Sequence, residues 1–371
     1  MNPRRLRGLM RKEALQIVRD PSAIAIAFVM PVVLLFIFGY GVSLDAHKVP
    51  LAVVVEQPTT QTASLIGGFE QSPYFRVEFA ASLAAARARL QQRRVNGIVW
   101  LRADFSRKLL AGRAPTINVI VSGTDANNAR ILESYVQGVW QTWLTQRARA
   151  QGADLVLPVQ LDSRVWFNPA LRSRDFLVPG LIAIIMTLIG ALLTALVVSR
   201  EWERGTMEAL FATPATMSEI LLGKLIPYFL LGMGGMTLSV LMARWLFAVP
   251  LVGSALLLFA VAAVFMLAAL GMGLLISTVA RNQYVAAQIA VVVTFLPAFM
   301  LSGFIYDIGS MPAPIQWLTH LFAARYFVTL LQTLFLAGDI PAVIVGNLLA
   351  LLLMAAVFLG LTWRLSRKRL D

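Results

Sequence analysis

Residues able to bind a nucleotide or a metal ion are few in this chain of 371 residues. The only Gly-Lys pair, Gly223-Lys224, lacks the preceding glycine and the following Ser or Thr of a phosphate-binding loop. The two histidines, His47 and His320, have no metal-ligand spacing, and the chain has neither a G-x-S-x-G elbow nor a cysteine. The sequence therefore predicts no catalytic residues, no metal site and no ATPase activity of its own.

The most distinctive charged segment is the run 200–219, which reads REWERGTMEALFATPATMSE. We predict a short helix in this run that is capped by Thr206, with Gly205 freeing the backbone just before it. Glu208 falls in the first turn, where a carboxylate interacts favourably with the helix dipole. Because Pro214 disfavours helical geometry at the preceding residue, the helix should stop before it.

A second helix start follows in the same run. Thr216 and Glu219 have the three-residue spacing of a capping box, which predicts the start of the next long helix. The result is a short amphipathic helix between two spans, and this segment should present Glu201, Glu203 and Glu208 to the cytosol, where basic residues are the usual finding. That pattern indicates a docking element for another protein. An ordinary capped connector explains the same residues, and both interpretations stay open at this point.

Long apolar stretches must position this loop. The chain is 58% hydrophobic and only 14% charged, with a mean hydropathy of +0.73, which is typical of a membrane protein. Six uncharged runs approach the ~20 residues that a helix needs to cross a bilayer. These runs are 22–43, 176–199, 225–243, 254–280, 284–305 and 342–363.

Charged residues indicate the orientation of these spans. Lys and Arg number 32 against 19 Asp and Glu, and they flank the apolar runs, which argues against a nucleic-acid partner. The basic segment 1–21, the basic tail 364–371 and the even number of spans predict that both termini are cytoplasmic. Lys224, Arg244 and Arg281 lie near span ends, where long side chains can extend to the interface.

The first apolar run also resembles a secretory signal peptide, but it exceeds the about 7–15 residues of that type of segment, so we predict an uncleaved anchor. Segment 1–21 places its apolar residues on one helical face, which predicts an amphipathic helix in the headgroup layer. A solvated basic leader is the alternative. The apolar face comprises Leu6, Met10, Ala14, Ile17 and Val18, and the basic face comprises Arg4, Arg11, Lys12 and Arg19.

Segment 44–175, between the first two spans, is predicted to be a water-soluble domain because short β-branched runs alternate in it with helical patterns. The predicted strands are 49–55, 95–101 and 117–121, and the predicted helices are 82–92 and 127–149. The predicted fold class is an α-helical polytopic membrane protein with six transmembrane helices. An α/β extracytoplasmic domain is inserted between the first and second helices, and helices two to six occupy 176–363.

Two runs of this sequence resemble the permease subunits of type-2 ABC exporters, and the likeness extends over both ends and all six spans. Asp307 and Ala323 depart from it, since prolines are expected there. The first run comprises Arg200-Glu201, Glu203-Arg204-Gly205-Thr206, Glu208, Leu210, Thr213-Pro214, Glu219, Gly223-Lys224 and Pro227. The second comprises Leu301-Ser302-Gly303-Phe304-Ile305, Ile308, Met311-Pro312, Trp317-Leu318 and Arg325-Tyr326-Phe327.

The resemblance implies a function and a set of partners. The chain would bind no cofactor itself, since ATP and Mg are used by a separate P-loop ATPase subunit. A second permease chain, identical or related, would complete a dimer that exports drugs or other small amphiphiles through the inner membrane of a diderm bacterium, in some members with a periplasmic adaptor protein. The implied ATPase-coupling residues are Arg200, Glu201, Glu203, Arg204, Gly205, Thr206, Glu208 and Pro214. The implied outer gate is the re-entrant segment 301–327, with Gly303, Pro312, Arg325 and Tyr326.

Aromatic residues in the spans are candidates for a substrate path, although lipid contact or packing is the simpler explanation for each of them. Two other classes of function stay open from the residues themselves. One is a membrane-anchored adaptor or sensor whose soluble domain binds a partner, and the other is an uncoupled channel or carrier. The candidate path residues are Phe28, Phe36, Phe38, Tyr40, Phe295 and Phe299.

Overall fold

Six helices in the described part of the chain are long and apolar enough to cross a membrane. The computed structural model describes residues 2–41, 48–113, 115–123, 126–150, 167–168 and 172–366. We number the helices span 1 to span 6. In chain order they are Pro21–Gly41, Ser173–Glu203, Met217–Leu246, Ala255–Ala280, Gln283–Leu301 and Pro341–Leu365. Three of them contain a π-helical turn, at Ala25–Val29, Met242–Leu246 and Val291–Phe295.

The predicted spans are all present, but spans 2 and 3 extend beyond their apolar runs. Span 2 has 31 residues, more than the ~20 that a bilayer requires, and continues through charged residues to Glu203. Span 3 begins at Met217, because the predicted capping box starts the helix there. The apolar runs therefore located the spans, while the capping box set where span 3 begins.

Span 2 is the central helix of the membrane unit. In the most apolar 18-residue stretch of span 2, 89% is buried, whereas the corresponding share in the other spans is 17 to 50%. It packs closely on span 4, since an added Cβ at Gly190 would lie 2.6 Å from Ala269 Cβ. Thr194 Oγ1 donates a hydrogen bond to Leu270 O at 2.8 Å, and Ser277 Oγ accepts from span 2 backbone amides. Small residues and interhelical hydroxyl contacts are typical of helix packing in lipid.

Shorter elements accompany the spans. The N-terminal helix is Pro3–Val18, and the loop helix, between spans 2 and 3, is Thr206–Ala212. Between spans 5 and 6, a 3-10 turn at Ile308–Ser310 precedes a bent helix pair, Ala313–Thr319 and Ala323–Ala337. The two helices of that pair meet at 83°, and counting them as one broken span would bring the total to seven.

The chain divides into two units, Met1–Ser43 with Arg164–Asp371, and Leu44–Ser163. The second unit contains a four-stranded sheet in the order β2-β1-β3-β4, in which β1 pairs in parallel with β2 and β3 while β4 is antiparallel. Its side chains Leu51, Phe69 and Phe105 are fully buried. The strands are β1 Val49–Val55, β2 Phe75–Phe79, β3 Gly97–Leu101 and β4 Asn118–Val121. The helices are Thr60–Glu70, Leu83–Gln91, Phe105–Leu110 and Ala126–Ala150.

The predicted strands correspond to β1, β3 and β4, and the two predicted helices are also present. Strand β2 and the helices Thr60–Glu70 and Phe105–Leu110 were not predicted. Strand β2 reads FRVEF, and only the side chain of Phe75 is buried, so two charged residues obscured its alternation. Its pairing with β1, in which Leu51 lies opposite Val77, depends on contacts that a single sequence does not reveal.

Candidate functional site

The loop helix after span 2 has one face against the membrane unit and one face exposed. Gly205, with φ +67°, turns the chain from span 2 into the helix, a conformation that glycine adopts at little cost. Met207 is buried and Leu210 packs on the same core, while Glu208 is exposed. The predicted short amphipathic helix before Pro214 is therefore confirmed as a structural element.

The two predicted caps have different outcomes. Thr216 and Glu219 form the predicted capping box, with Thr216 N donating to Glu219 Oε2 at 2.9 Å and Glu219 N donating to Thr216 Oγ1 at 3.4 Å. The prediction that Thr206 caps the loop helix is wrong. The helix begins at Thr206 itself, and the Thr206 hydroxyl donates instead to Glu201 Oε2.

Four charged side chains meet where the N-terminal helix, span 2 and span 3 converge, and we call them the ion-pair cluster. Lys224 Nζ lies 2.7 Å from Glu13 Oε1 and 3.0 Å from Glu201 Oε1. Lys12 Nζ lies 2.6 Å from Glu201 Oε1 and 3.1 Å from Glu13 Oε1. Two cations and two carboxylates thus balance each other's charge.

Burial makes this cluster sensitive to the loss of any member. Glu13, Glu201 and Lys224 are 2%, 5% and 2% exposed, and Glu13 Oε2 has no hydrogen-bond partner among the described residues. Removing one partner of a buried pair leaves a charge without compensation, which is strongly destabilising. The prediction that Glu201 faces the cytosol is wrong, because this side chain is buried, and Lys224 is buried with it in ion pairs.

The end of span 2 has two further polar connections. Arg200 Nη1 donates to Asp20 Oδ2 at 2.5 Å, just before span 1. The Glu203 carboxylate accepts from the backbone N of Gln283 at 2.8 Å and from Gln283 Nε2 at 2.7 Å, at the first residue of span 5. The last residues of span 2 therefore contact Asp20 just before span 1, Lys224 within span 3 and the first residue of span 5.

The pKa values of two side chains outside the spans are shifted in the direction that favours the charged form. Burial alone would raise the pKa of Asp20, but the hydrogen bond and charge of Arg200 outweigh it and lower that pKa below its usual value. Burial alone would lower the pKa of Lys12, but Glu201 and Glu13 outweigh it and raise that pKa. Both side chains are therefore ionised at neutral pH.

The N-terminal helix packs directly on span 3. An added Cβ at Gly223 would lie 2.8 Å from Leu9 Cβ, so only glycine permits this approach. Arg5 Nη1 donates to Pro214 O at 2.6 Å, and the backbone N of Asn2 donates to Glu219 Oε1 at 2.5 Å. The start of the N-terminal helix therefore contacts both ends of segment 214–219, which leads from the loop helix into span 3.

The predicted helix in segment 1–21 is present as Pro3–Val18, and the residues that it buries include a charged one. Ala14 and Val18 are exposed, Val18 by 72%, whereas Glu13 and Ile17 are buried. The buried stripe passes through Glu13, a residue that was predicted on neither face. The helical spacing of Glu13 from Leu6, Leu9 and Ile17 could have indicated that it lies on the buried face. Its charge argued against that assignment.

Similarity to known proteins establishes the family. The sequence pattern of the family described as "ABC-2 family transporter protein" matches residues 22–364. The chain belongs to this ABC-2 transporter family. The matched region extends from span 1 to the last turn of span 6 and includes the loop helix and the bent helix pair.

Relatives of this ABC-2 protein are named as permeases. It is 47% identical over 369 residues to the probable multidrug ABC transporter permease YbhS of Escherichia coli K12, covering 99% of this chain and 98% of that one. It is 28% identical over 366 residues to the probable multidrug ABC transporter permease YbhR of the same strain, covering 98% and 99%. It is 22% identical over 372 residues to the linearmycin resistance permease protein LnrN of Bacillus subtilis, covering 92% and 94%. These findings support an ABC-2 permease, a multi-pass protein of a bacterial inner membrane.

Two of the predicted gate residues of this permease, Arg325 and Tyr326, lie at the bend between its paired helices, and a third lies at the far end of the first helix. Pro312 precedes the first helix of the pair. Arg325 Nη1, from the second helix, donates back to Gln316 O at 3.2 Å. Tyr326 Oη donates to His320 O at 3.1 Å, so both side chains fasten the two helices together at their junction.

The fourth predicted gate residue, Gly303, lies where span 5 ends. Its φ of +84° turns the chain, and the next residue, Phe304, is buried. The Phe304 ring lies directly against Gly180 of span 2, so closely that a Cβ added there would collide with it. The permease thus places the predicted gate segment in contact with the same helix that carries Glu201 at its other end.

The predicted path aromatics form two separate groups in the permease. Phe36 and Tyr40 of span 1 have ring centroids 5.1 Å apart, and Phe295 and Phe299 of span 5 have theirs 5.9 Å apart. Phe36 and Tyr40 are about half exposed, and Phe38 packs partly on the core. Within the described residues no ring contact joins the two groups, so the structure does not bring these candidates together.

Proposed function

We propose that this permease is the membrane subunit of an ATP-driven exporter that moves drugs or other small amphiphiles out of the cytoplasm or the inner membrane. A separate P-loop ATPase subunit would hold ATP and Mg, so this chain would be a non-enzymatic part of an ATP-hydrolysing complex. The names of two relatives, both probable multidrug permeases, support the substrate class. The observation that carries the proposal is the attachment of the loop helix to the ion-pair cluster through Thr206 and Glu201.

The docking surface for the ATPase subunit is the exposed face of the loop helix and its flanks. Glu201 is excluded from it, because that side chain is 5% exposed and already paired with Lys12 and Lys224. Glu201 acts instead as the connection between the docking surface and the spans. The proposed docking residues share high exposure, and they are Glu203, Arg204, Gly205, Thr206, Glu208, Thr213 and Pro214.

Movement of the docking surface would pass to the spans through charged contacts. A displacement of the loop helix moves the Glu201 carboxylate, which is bound to Lys12 of the N-terminal helix and Lys224 of span 3. Glu203 transmits the same displacement to Gln283 at the start of span 5. Because packed helices move as rigid bodies, the motion reaches the contact between span 2 and Phe304 at the other end of span 2. ATPase binding can shift the permease only by its differential affinity for the two states.

The orientation follows from the positive charge at both termini. We place the loop helix and both termini in the cytosol and the unit Leu44–Ser163 outside it, as an extracytoplasmic α/β domain. The bent helix pair then lies near the outer surface, as the gate segment. A second permease chain, identical or related, would form the other half of the pathway, and the extracytoplasmic domain would offer a surface for a periplasmic adaptor.

The test is nucleotide-dependent transport in inside-out vesicles that contain the full-length permease and its ATPase subunit. Uptake of a fluorescent amphiphilic cation is measured with MgATP, with a non-hydrolysable analogue and without nucleotide. Uptake that requires MgATP supports the proposal. Uptake that persists without nucleotide would identify an uncoupled channel or carrier, and no uptake under any condition, with vesicles proven sealed, would favour the anchored adaptor or sensor.

A further inference from the structure

A basic cleft opens beside the ion-pair cluster, between the N-terminal helix and the ends of three spans. Its volume is about 740 Å³, within the ~300–1,000 Å³ of small-molecule sites. The lining includes the first residues of spans 1 and 5 and residues at the end of span 2. Since span ends mark the boundary of the hydrocarbon layer, this cleft lies at the level of the lipid headgroups.

The charge in this cleft is only partly balanced. Among the described residues that line it, Asp20 is the one acidic side chain and is bound to Arg200, while Lys12 is bound to Glu201. Arg19 and Arg204 also line the cleft, and neither guanidinium hydrogen-bonds or ion-pairs with any described residue. Two arginines without partners therefore face a cavity whose other charges are already neutralised, which is the arrangement that an incoming anion satisfies.

An apolar side chain next to these arginines indicates what kind of anion this is. Leu15 lines the cleft and is 49% exposed, and Val18, one turn further on, is 72% exposed. Large apolar side chains on the outer face of an amphipathic helix are stable in the headgroup layer, where acyl chains cover them. A free phosphate ion would leave Leu15 in contact with water, whereas a phospholipid would cover it and place its phosphate at the arginines.

We propose that this cleft binds the headgroup of an anionic phospholipid, with Arg19 and Arg204 holding the phosphate and Leu15 contacting the glycerol and acyl region. Basic pockets between transmembrane helices on the cytoplasmic side are suited to such headgroups. The lipid would join the N-terminal helix to the end of span 2, alongside the ion-pair cluster. This proposal requires only that the spans cross a membrane, and its test uses the permease without the ATPase subunit, since Arg204 is also one of the proposed docking residues.

The experiment measures lipid binding to the full-length chain in mild neutral detergent by native mass spectrometry. Dioleoyl-phosphatidylglycerol competes with dioleoyl-phosphatidylcholine for wild type, for Arg19→Gln with Arg204→Gln, and for the control Arg7→Gln with Arg11→Gln. Arg7 and Arg11 are exposed on the same helix and lie outside the cleft, so the control removes equal charge. With ~1 kcal/mol per basic side chain near a membrane surface, the cleft variant should bind phosphatidylglycerol about 30-fold more weakly, and the control should match wild type.

Two further arms separate a lipid from a free anion and from misfolding. Inorganic phosphate at millimolar concentration should not displace phosphatidylglycerol, and Leu15→Gln should weaken its binding severalfold. Equal thermal midpoints of wild type and both double variants establish that the fold is intact. Equal phosphatidylglycerol binding by the two double variants, or no preference of wild type for phosphatidylglycerol, would overturn the proposal. Displacement by inorganic phosphate together with normal lipid binding by Leu15→Gln would identify a free-phosphate site instead.

Discussion

Glu13 and Lys224 are 211 positions apart in the sequence, and Lys224 Nζ lies 2.7 Å from Glu13 Oε1. Both side chains are 3% exposed. The contact joins a helix that precedes the first span to the third span, and Glu201 of span 2 shares the same lysine. The membrane unit therefore has a buried polar junction where the N-terminal helix, span 2 and span 3 meet, and each charge in it depends on the others.

Replacing Lys224 by Met should destabilise the permease strongly. The substitution preserves the length of the side chain but leaves Glu13 and Glu201 buried with too little positive charge, so the free energy of unfolding should fall by about 3–5 kcal/mol. Denaturation in detergent, followed by tryptophan fluorescence, measures the change. The control Lys108→Met removes an exposed lysine paired with Asp104, and it should leave the midpoint nearly unchanged. Similar midpoints for the two variants would contradict a structural role for the cluster.

Two glycines on the facing helices should respond oppositely to alanine. Gly223→Ala places a Cβ 2.8 Å from Leu9 Cβ and should cost about 1–3 kcal/mol, because the N-terminal helix must move away. Gly8→Ala, on the N-terminal helix, meets no atom within 4 Å and should stabilise the protein by about 0.5–1 kcal/mol through helix propensity. Unfolding midpoints test both, and a stabilising Gly223→Ala would show that the two helices are not in close contact.

Stability should depend on the ionisation of Asp20. Its folded-state pKa lies below the ordinary 3.8, so its pairing with Arg200 contributes fully at neutral pH and is lost as the pH falls through the folded pKa. Asp20→Asn keeps the capping interaction with Ser22 N but removes the charge. The difference in unfolding midpoint between wild type and Asp20→Asn should therefore be constant from about pH 7 to about pH 5 and shrink below that. A difference that does not change down to about pH 3 would contradict the proposed ion pair.

Hydropathy was sufficient to predict all six spans, because about twenty consecutive apolar residues have few other stable states. Local signals were sufficient for the presence of the loop helix between Gly205 and Pro214, although not for its cap, and for the capping box of Thr216 with Glu219. The polar junction was not predictable in the same way. In the sequence, Glu13 belongs to a basic leader, and Lys224 has the position of a lysine near the end of a span. Only the tertiary packing of two helices that are distant in the sequence makes these residues a pair.

In the candidate site, too, local sequence did not predict which charged side chains are buried. Glu201 and Glu203 look equivalent in sequence, as two carboxylates at the end of a span, yet Glu201 is buried in the cluster and Glu203 binds the exposed start of span 5. Thr206 was predicted to cap a helix, but a nearby buried carboxylate accepts its hydroxyl instead. Which carboxylate faces inward depends on the neighbouring helices, and that information is not local.

The central claim is that the exposed face of the loop helix docks an ATPase subunit. The most direct measurement is the amount of P-loop ATPase that co-purifies with tagged full-length permease, quantified by mass spectrometry for wild type, Glu208→Lys and Glu133→Lys. Glu208 is exposed on the loop helix, and Glu133 is an exposed helical glutamate in the other unit. We expect Glu208→Lys to recover about tenfold less ATPase than Glu133→Lys, as for a change of charge in a docking surface. Equal recovery by both variants, or none by wild type, would contradict the claim.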